Sequence, residues 1–276
     1  MFFYYLMYIC TIFFRMKKYV FFIGILVVTL YSCGQYEKVL KSTDYKLKFK
    51  KAFEYYNAGE FVRAATVFEQ IVPVYKGTDK SDSVAYFYAM SYYGQKDYIL
   101  AGPYLKGFYE NYPYSPFADE AEYLSAFCFY QTSPKPSLDQ ENTYTAIDAF
   151  QLYIKKHPTS KHVEEAKKYL LDLQDKLVEK SYLSARLYFD LGDFKSSIIA
   201  LNNSIAEYPN TKYREELQFL VLQSNFFLAK GSVVSKQKER FQVTVDEYYS
   251  FIAEFPNSKF SKEAKGIYED SQKFTK

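Results

Sequence analysis

The sequence predicts an all-α protein, a right-handed α-solenoid of about five helix-turn-helix repeats. Two observations lead there: a recurring aromatic-Pro-x-Ser/Thr step, and apolar columns at helical spacing in front of each copy. The step reads Tyr112-Pro113-Tyr114-Ser115, His157-Pro158-Thr159-Ser160, Tyr208-Pro209-Asn210-Thr211 and Phe255-Pro256-Asn257-Ser258, with His157 once in the aromatic place. Its prolines are 45, 51 and 47 residues apart. Self-similarity on that scale marks stacked repeats, each packing only on its neighbours. No strand-like alternation competes with it.

The columns extend each copy towards the N-terminus. Four residues before the Pro lies Tyr109, Ile154, Ile205 or Ile252, and eight before lies Leu105, Phe150, Leu201 or Tyr248. Twelve before lies a small residue, Ala101, Ala146, Ser197 or Thr244, and fifteen before lies Tyr98, Thr143, Phe194 or Phe241. Steps of three and four keep one stripe on one face of a helix, and the small column is where a neighbouring helix can come close. A fifth copy without the Pro keeps the pattern at Phe61, Ala64, Phe68, Val72, Tyr75 and Thr78. It precedes the others, and terminal repeats are often atypical.

Each copy is punctuated at two places. The Pro cannot continue the helix before it, and the Ser or Thr two residues later is expected to cap the next helix. An aromatic or His follows at Phe117, His162, Tyr213 and Phe260, then a Glu at Glu120, Glu165, Glu216 and Glu263. Inside the repeats, Gly59, Gly94 and Gly192 stand where the first helix of each pair should end. Two longer loops are expected, over 132–141 and 231–238. One helix is expected to run unbroken from about Ser160 to Leu191.

The N-terminus reads as an export signal. Two membrane segments are one reading of the apolar stretch Met1–Leu30, which Arg15, Lys17 and Lys18 interrupt. A start at Met16 is the other, and it gives the charged region and short apolar run of a signal peptide. Residues 19–30 are too few to span a bilayer, which takes about 20. Leu30-Tyr31-Ser32-Cys33-Gly34 resembles the lipobox of bacterial lipoproteins, although Tyr31 is larger than usual there. That resemblance implies cleavage before Cys33, a thioether-linked diacylglycerol on its sulfur, and an acylated amine. Several acyl chains anchor stably where one does not. Gly34 in place of the Asp that marks inner-membrane retention points to the outer membrane, with the periplasmic face expected.

Charge and cysteine usage narrow the partners. The chain has 35 Lys and Arg against 32 Asp and Glu, a net +3, and residues 1–32 hold three of the cations and none of the acids. The mature domain is therefore neutral, with no footprint for nucleic acid, whose binding rests on clustered cations. With Cys33 lipidated, Cys128 is the remaining mature cysteine and is expected to pack as a small buried hydrophobe.

No catalytic constellation is visible. His157 and His162 fall in packing columns, five residues apart, and lack the spacing of a zinc site. No phosphate-binding loop, nucleophile elbow, metalloprotease motif or paired Cys-x-x-Cys occurs. Glu164-Glu165 and Glu215-Glu216 recur in register, as first-turn acids do. The expectation is a non-catalytic binding protein with no cofactor and no metal.

With lipobox and repeats together, the chain resembles the BamD/YfiO family of outer-membrane lipoproteins over roughly residues 33–260. Three segments carry the likeness: Gln95–Ser115, Asp139–Phe150 and Lys176–Phe194, the last containing Lys176-Leu177-Val178-Glu179-Lys180-Ser181-Tyr182 and Ala185-Arg186-Leu187-Tyr188. The resemblance implies five tetratricopeptide repeats in the β-barrel assembly machinery. It implies two partners, unfolded outer-membrane β-barrel proteins and a BamA-like barrel insertase with the other assembly subunits. The expected organisation is a signal peptide over 1–32, a lipidated tether over 33–43, and repeats 1–2 over 44–112 as the substrate groove. Repeat 3 follows over 113–157, then repeats 4–5 with a capping helix over 158–276 as the docking face. No single partner-contact residue is implied.

Two other readings share parts of the pattern. A different tetratricopeptide adaptor of the cell envelope, serving cell-wall, division or secretion complexes, would show the same repeats and lipobox. A nutrient-binding lipoprotein of the SusD type would stack sugars on exposed aromatics, but those proteins are larger and Trp-rich, and this chain has 31 Tyr and no Trp. The anchor has a direct test. Cys33→Ala is expected to leave an uncleaved or soluble species; unchanged outer-membrane fractionation would refute the lipid anchor.

Overall fold

The computed structural model describes residues 34–276; Cys33 and the expected signal peptide over 1–32 lie outside the described residues. Among the described residues the secondary structure is helical, with no strand. The chain divides into two compact units, the first ending at Gln131 and the second beginning at Thr132.

The first unit contains α1 (34–41), α2 (Tyr45–Asn57), α3 (Phe61–Tyr75), α4 (Ser81–Gly94), α5 (Tyr98–Asn111) and α6 (Ala118–Thr132). Helices α2 to α5 pack each on the next, and α2 also reaches α4. Their core gathers Ala52, Ala64, Val67, Phe68, Ile71, Val84 and Tyr88, with Val39 of α1 among them. Where a tether was expected over 33–43, residues 34–41 are therefore a packed helix. Helix α6 is tied to α5 by the Ser125 hydroxyl, which donates to the Gly102 carbonyl at 2.9 Å.

The second unit contains α7 (Glu141–Lys156), α8 (Val163–Asp190), α9 (Phe194–Glu207), α10 (Arg214–Lys230), α11 (Val234–Glu254) and α12 (Ser261–Thr275). Consecutive helices again pack on each other, and α10 also touches α8 and α12. Helix α8, expected from Ser160 to Leu191, has 28 residues and spans about 42 Å. Residues 133–140 form the first expected loop, held from α8 by Lys176, which donates to Ser133 Oγ at 2.7 Å, and Lys180, which donates to the Ser137 carbonyl at 3.2 Å. The second loop is shorter than expected. Helix α11 begins at Val234, so only residues 231–233 lie outside helix, and Gly231 takes an ordinary φ of −80°.

The small column is buried throughout: Ala64, Ala101, Ala146, Ser197 and Thr244 all have zero exposure. The expected column four residues before the Pro is only half-buried in every copy. The buried position lies one residue earlier, at Ile71, Phe108, Tyr153, Ser204 and Phe251. Stepping 4 and then 3 from the small column, rather than 4 and 4, keeps a residue on the inward stripe of a 3.6-residue helix.

The turn after each Pro is a repeated pair of hydrogen bonds. Ser115, Ser160, Thr211 and Ser258 donate their amides to the aromatic or His carbonyl three residues back, at 3.0–3.2 Å. Ala118, Val163, Arg214 and Ser261 then donate back to the Ser or Thr carbonyl at 3.0–3.2 Å. The Pro-less copy makes the same pair, Thr78 to Tyr75 at 3.0 Å and Ser81 to Thr78 at 3.2 Å. The Ser/Thr hydroxyls do not cap the first helical turn as expected. They accept from the amide two residues on, between 3.0 Å at Phe260 and 3.5 Å at His162, because the helix starts only after this double turn.

The internal turns close as Schellman motifs. Glu60, Asp97 and Asp193 donate amides five residues back to Tyr55, Tyr92 and Tyr188 at 2.9, 3.0 and 3.1 Å. Gly59 and Gly192 supply the left-handed residue at φ 76° and 75°, but in the middle turn Lys96 does so at φ 60°. Gly94 is kept for space instead, since a Cβ there would lie 2.7 Å from the Phe61 ring. Gly192→Ala is expected to lower stability by about 1 kcal/mol, whereas Gly266→Ala, in open space within α12, should raise it by about 0.5–1 kcal/mol. Urea denaturation of the two variants checks both signs.

Candidate binding groove

In the first unit α3, α4 and α5 enclose a groove of about 650 Å³. The loop between α3 and α4, with Gly77 at φ 80°, forms one end, and the C-terminal half of α5 forms one wall. Val72, Ala85 and Phe108 give it an apolar floor, while Lys76, Thr78 and Asn111 add polar groups. Tyr112 closes the end through its hydroxyl, 2.5 Å from Ser81 Oγ.

Tyr88 of α4 and Tyr104 of α5 line its middle. Tyr92, one helical turn after Tyr88 on α4, packs on Tyr104 beside the groove. The rings of Tyr92 and Tyr104 stack at 5.2 Å and 16°, and Tyr88 meets Tyr104 edge-on at 4.9 Å. Tyr88 Oη lies 3.3 Å from the Tyr92 hydroxyl and donates to the Tyr104 hydroxyl at 3.4 Å. Burial, then those two hydrogen bonds, pushes the Tyr88 phenol well above its ordinary pKa. It remains a neutral donor and acceptor across the physiological range. Tyr104 is 40% exposed and offers its ring to a ligand. Such a groove suits an extended chain segment with aromatic or aliphatic side chains, since tyrosine gives contact area at low entropy cost. It presents no nucleophile paired with a base.

The second unit has a different surface. On the outward side of α8, Leu183, Leu187 and Leu191 recur every four residues, all exposed. Nearby, Tyr182 donates to Glu216 at 2.8 Å, and Arg186 donates to the Tyr182 hydroxyl at 2.7 Å and to Glu216 at 2.9 Å. These three join α8 to α10. Arg214 pairs with Glu254 at 2.5 Å, and Gln218 donates to the same carboxylate at 2.6 Å. Two hollows, of about 450 and 620 Å³, share the turn residues Pro209 to Lys212.

The remaining expected residues fall as follows. His157 ends α7 with its ring 5.0 Å from that of Tyr153, and His162 stands at the start of α8. Glu164-Glu165 and Glu215-Glu216 occupy first turns. Cys128 is buried, and burial pushes its thiol up to about 12. Among the described residues no group of three or more His, Cys, Asp or Glu is placed to hold a metal ion, and no helix is long and apolar enough to cross a membrane.

A family model described as YfiO, outer membrane lipoprotein, matches residues 42–225. The chain belongs to that family. The match takes in the tyrosine groove and the Tyr182–Arg186–Glu216 cluster. A relative from Aquifex aeolicus (strain VF5), "Putative outer membrane protein assembly factor BamD", is 23% identical over 227 residues, covering 82% of this chain and 73% of its own. Among solved structures, the TPR2AB domain of yeast Sti1 in complex with pHSP90 aligns with 83% of this chain and 98% of its own, at 14% identity and a TM-score of 0.36.

Sequence reasoning missed the groove tyrosines, which have no motif of their own among so many. It also missed the partners of the aromatics after the double turn. Phe117 stacks on Tyr86 at 4.4 Å and 8°, Tyr213 on Tyr182 at 4.1 Å and 9°, and Phe260 on Phe219 at 4.3 Å and 5°. A ring 31 residues before Phe117 and before Tyr213 was the available signal.

The Arg214–Glu254 pair gives a pH test. Arg214, and then Gln218, hold the Glu254 carboxyl below its ordinary range. A lowered native pKa stabilises above the unfolded value, and that stability is lost as pH falls through the native one. Arg214→Ala is expected to destabilise by up to about 1 kcal/mol near neutral pH, the pair being partly exposed, and the difference from wild type is expected to shrink as Glu254 is protonated, leaving only the Arg214 bond to the Pro209 carbonyl. Urea midpoints across the acid range check this.

Proposed function

We propose that this protein is a non-catalytic adaptor of the outer-membrane β-barrel assembly machinery, anchored through acylated Cys33 and facing the periplasm. The groove of repeats 1–2, within 44–112, receives unfolded outer-membrane β-barrel proteins. Repeats 4–5, within 158–276, dock on a BamA-like insertase. The observation that carries the substrate half is the groove around Tyr88 and Tyr104, which lies inside the region matched by the family.

Physical chemistry supports the division of labour. An unfolded barrel strand offers aromatic and aliphatic side chains at every second position, and the groove offers tyrosine faces with hydroxyls for its backbone. The second unit offers the Leu183–Leu187–Leu191 row beside the charged cluster at Arg186 and Glu216. An apolar centre with a polar rim is the ordinary anatomy of a stable protein interface. The Aquifex relative's description as an assembly factor agrees with this reading.

Photo-crosslinking separates it from another envelope adaptor. With a benzophenone amino acid in place of Tyr104, the expected products are adducts with β-barrel precursors. The same residue at Leu187 is expected to capture the insertase. Adducts at both positions with cell-wall or division proteins instead would overturn the assignment.

A further inference from the structure

The residues after Cys33 leave no slack. Gly34 already opens α1, so no residue separates Cys33 in the sequence from a packed helix. The Tyr36 ring meets Tyr55 edge-on at 5.7 Å, the Arg63 guanidinium lies 5.3 Å over the same ring, and Val39 is in the core. Tyr55 ends α2 and Arg63 begins α3, so α1 starts at the edge of the first unit that carries the Gly59 turn.

The next internal turn lies on the same edge. Gln95 donates to the Phe61 carbonyl at 3.4 Å, and Gly94 abuts the Phe61 ring. This edge exposes apolar side chains where the helices start: Val62 is 65% exposed, Ile99 74% and Leu100 41%. Its carboxylates are engaged. Glu60 pairs with Arg63 at 2.6 Å, Glu54 pairs with Lys51 at 2.6 Å, and Asp97 accepts the Leu100 amide at 3.2 Å.

We propose that this edge is a membrane-contact surface: with Cys33 acylated, the turns at 58–62 and 94–100 rest on the phospholipid bilayer and Val62 and Ile99 enter the boundary between headgroups and acyl chains. The proposal depends on the lipid anchor at Cys33. The anchor's short reach selects the occupant, since a bilayer holding the acyl chains lies against whichever surface surrounds the start of α1. Exposed aliphatic side chains, with Glu54 and Glu60 paired to cations, suit that boundary. The end of the groove formed by Gly77, Thr78 and Tyr112 lies at the other ends of these helices, about 22 Å away along the 15 residues of α3. One unit would thus sit on the membrane while the Thr78–Tyr112 end of its groove lies away from it.

Depth-dependent quenching tests this on the mature lipidated protein. Val62→Cys, Ile99→Cys and Tyr114→Cys are each labelled with an environment-sensitive fluorophore, Tyr114 being fully exposed at the opposite ends of the helices. Buried Cys128 does not compete for label. The proteins are reconstituted on phosphatidylethanolamine–phosphatidylglycerol vesicles containing doxyl-labelled phosphatidylcholine. Quenching of about twofold or more is expected at 62 and 99 and none at 114. Protein that floats with the vesicles but shows equal signals at all three positions overturns the membrane edge and leaves the anchor standing. Protein that fails to float removes the anchor, and this proposal with it.

Discussion

The repeats can stack only because one position in each carries almost no side chain. Ala64, Ala101, Ala146, Ser197 and Thr244 are wholly buried, and they lie on α3, α5, α7, α9 and α11, each three residues after Phe61, Tyr98, Thr143, Phe194 or Phe241. Two of the five are more polar than alanine, and both are satisfied: Ser197 Oγ lies 3.0 Å from Ser224 Oγ on α10, and Thr244 donates to the Arg240 carbonyl at 3.1 Å within its own helix. A buried hydroxyl is tolerated on those terms. A larger side chain would push the helices apart and strip contacts from the stripe on either side, where Phe68, Leu105, Phe150 and Leu201 are also wholly buried.

Close approach sets the distance between helices, and the double turn sets their direction. The paired backbone bonds occur in all five copies, with or without the Pro. Proline therefore rigidifies a geometry that the backbone adopts anyway. The turn delivers an aromatic residue onto a ring of the preceding repeat, as with Phe117 on Tyr86 and Phe260 on Phe219. These parallel contacts connect one helix pair to the next without lengthening the loops. Tyr88 of α4 reaches both the core and the groove, and Tyr104 of α5 is left to line the groove.

The Lys176–Phe194 segment, the most distinctive in the sequence, does several things at once. Lys176 and Lys180 hold the 133–140 loop. Tyr182 and Arg186 bind Glu216 of α10. Leu187 and Leu191 face solvent. One helix therefore orders a loop, fixes its neighbour and presents an apolar row, which accounts for its unusual length and composition.

The sequence by itself determined the helical repeats, the small column, the left-handed glycines at 59 and 192, and the double turn after each Pro. These follow from hydrogen bonds and side-chain spacing within about fifteen residues, and such short-range physics leaves a pattern in the chain. It misplaced features that depend on a neighbouring helix. The inward column shifted from Ile154 to Tyr153, Gly94 proved to make room for Phe61, and the expected tether became the packed helix α1. The groove was the least legible of all. With 31 tyrosines in the chain, nothing local distinguishes Tyr88, Tyr92 and Tyr104 from the rest. Only the packing of α4 against α5 brings these three rings together, because that convergence is a long-range contact with no period of its own.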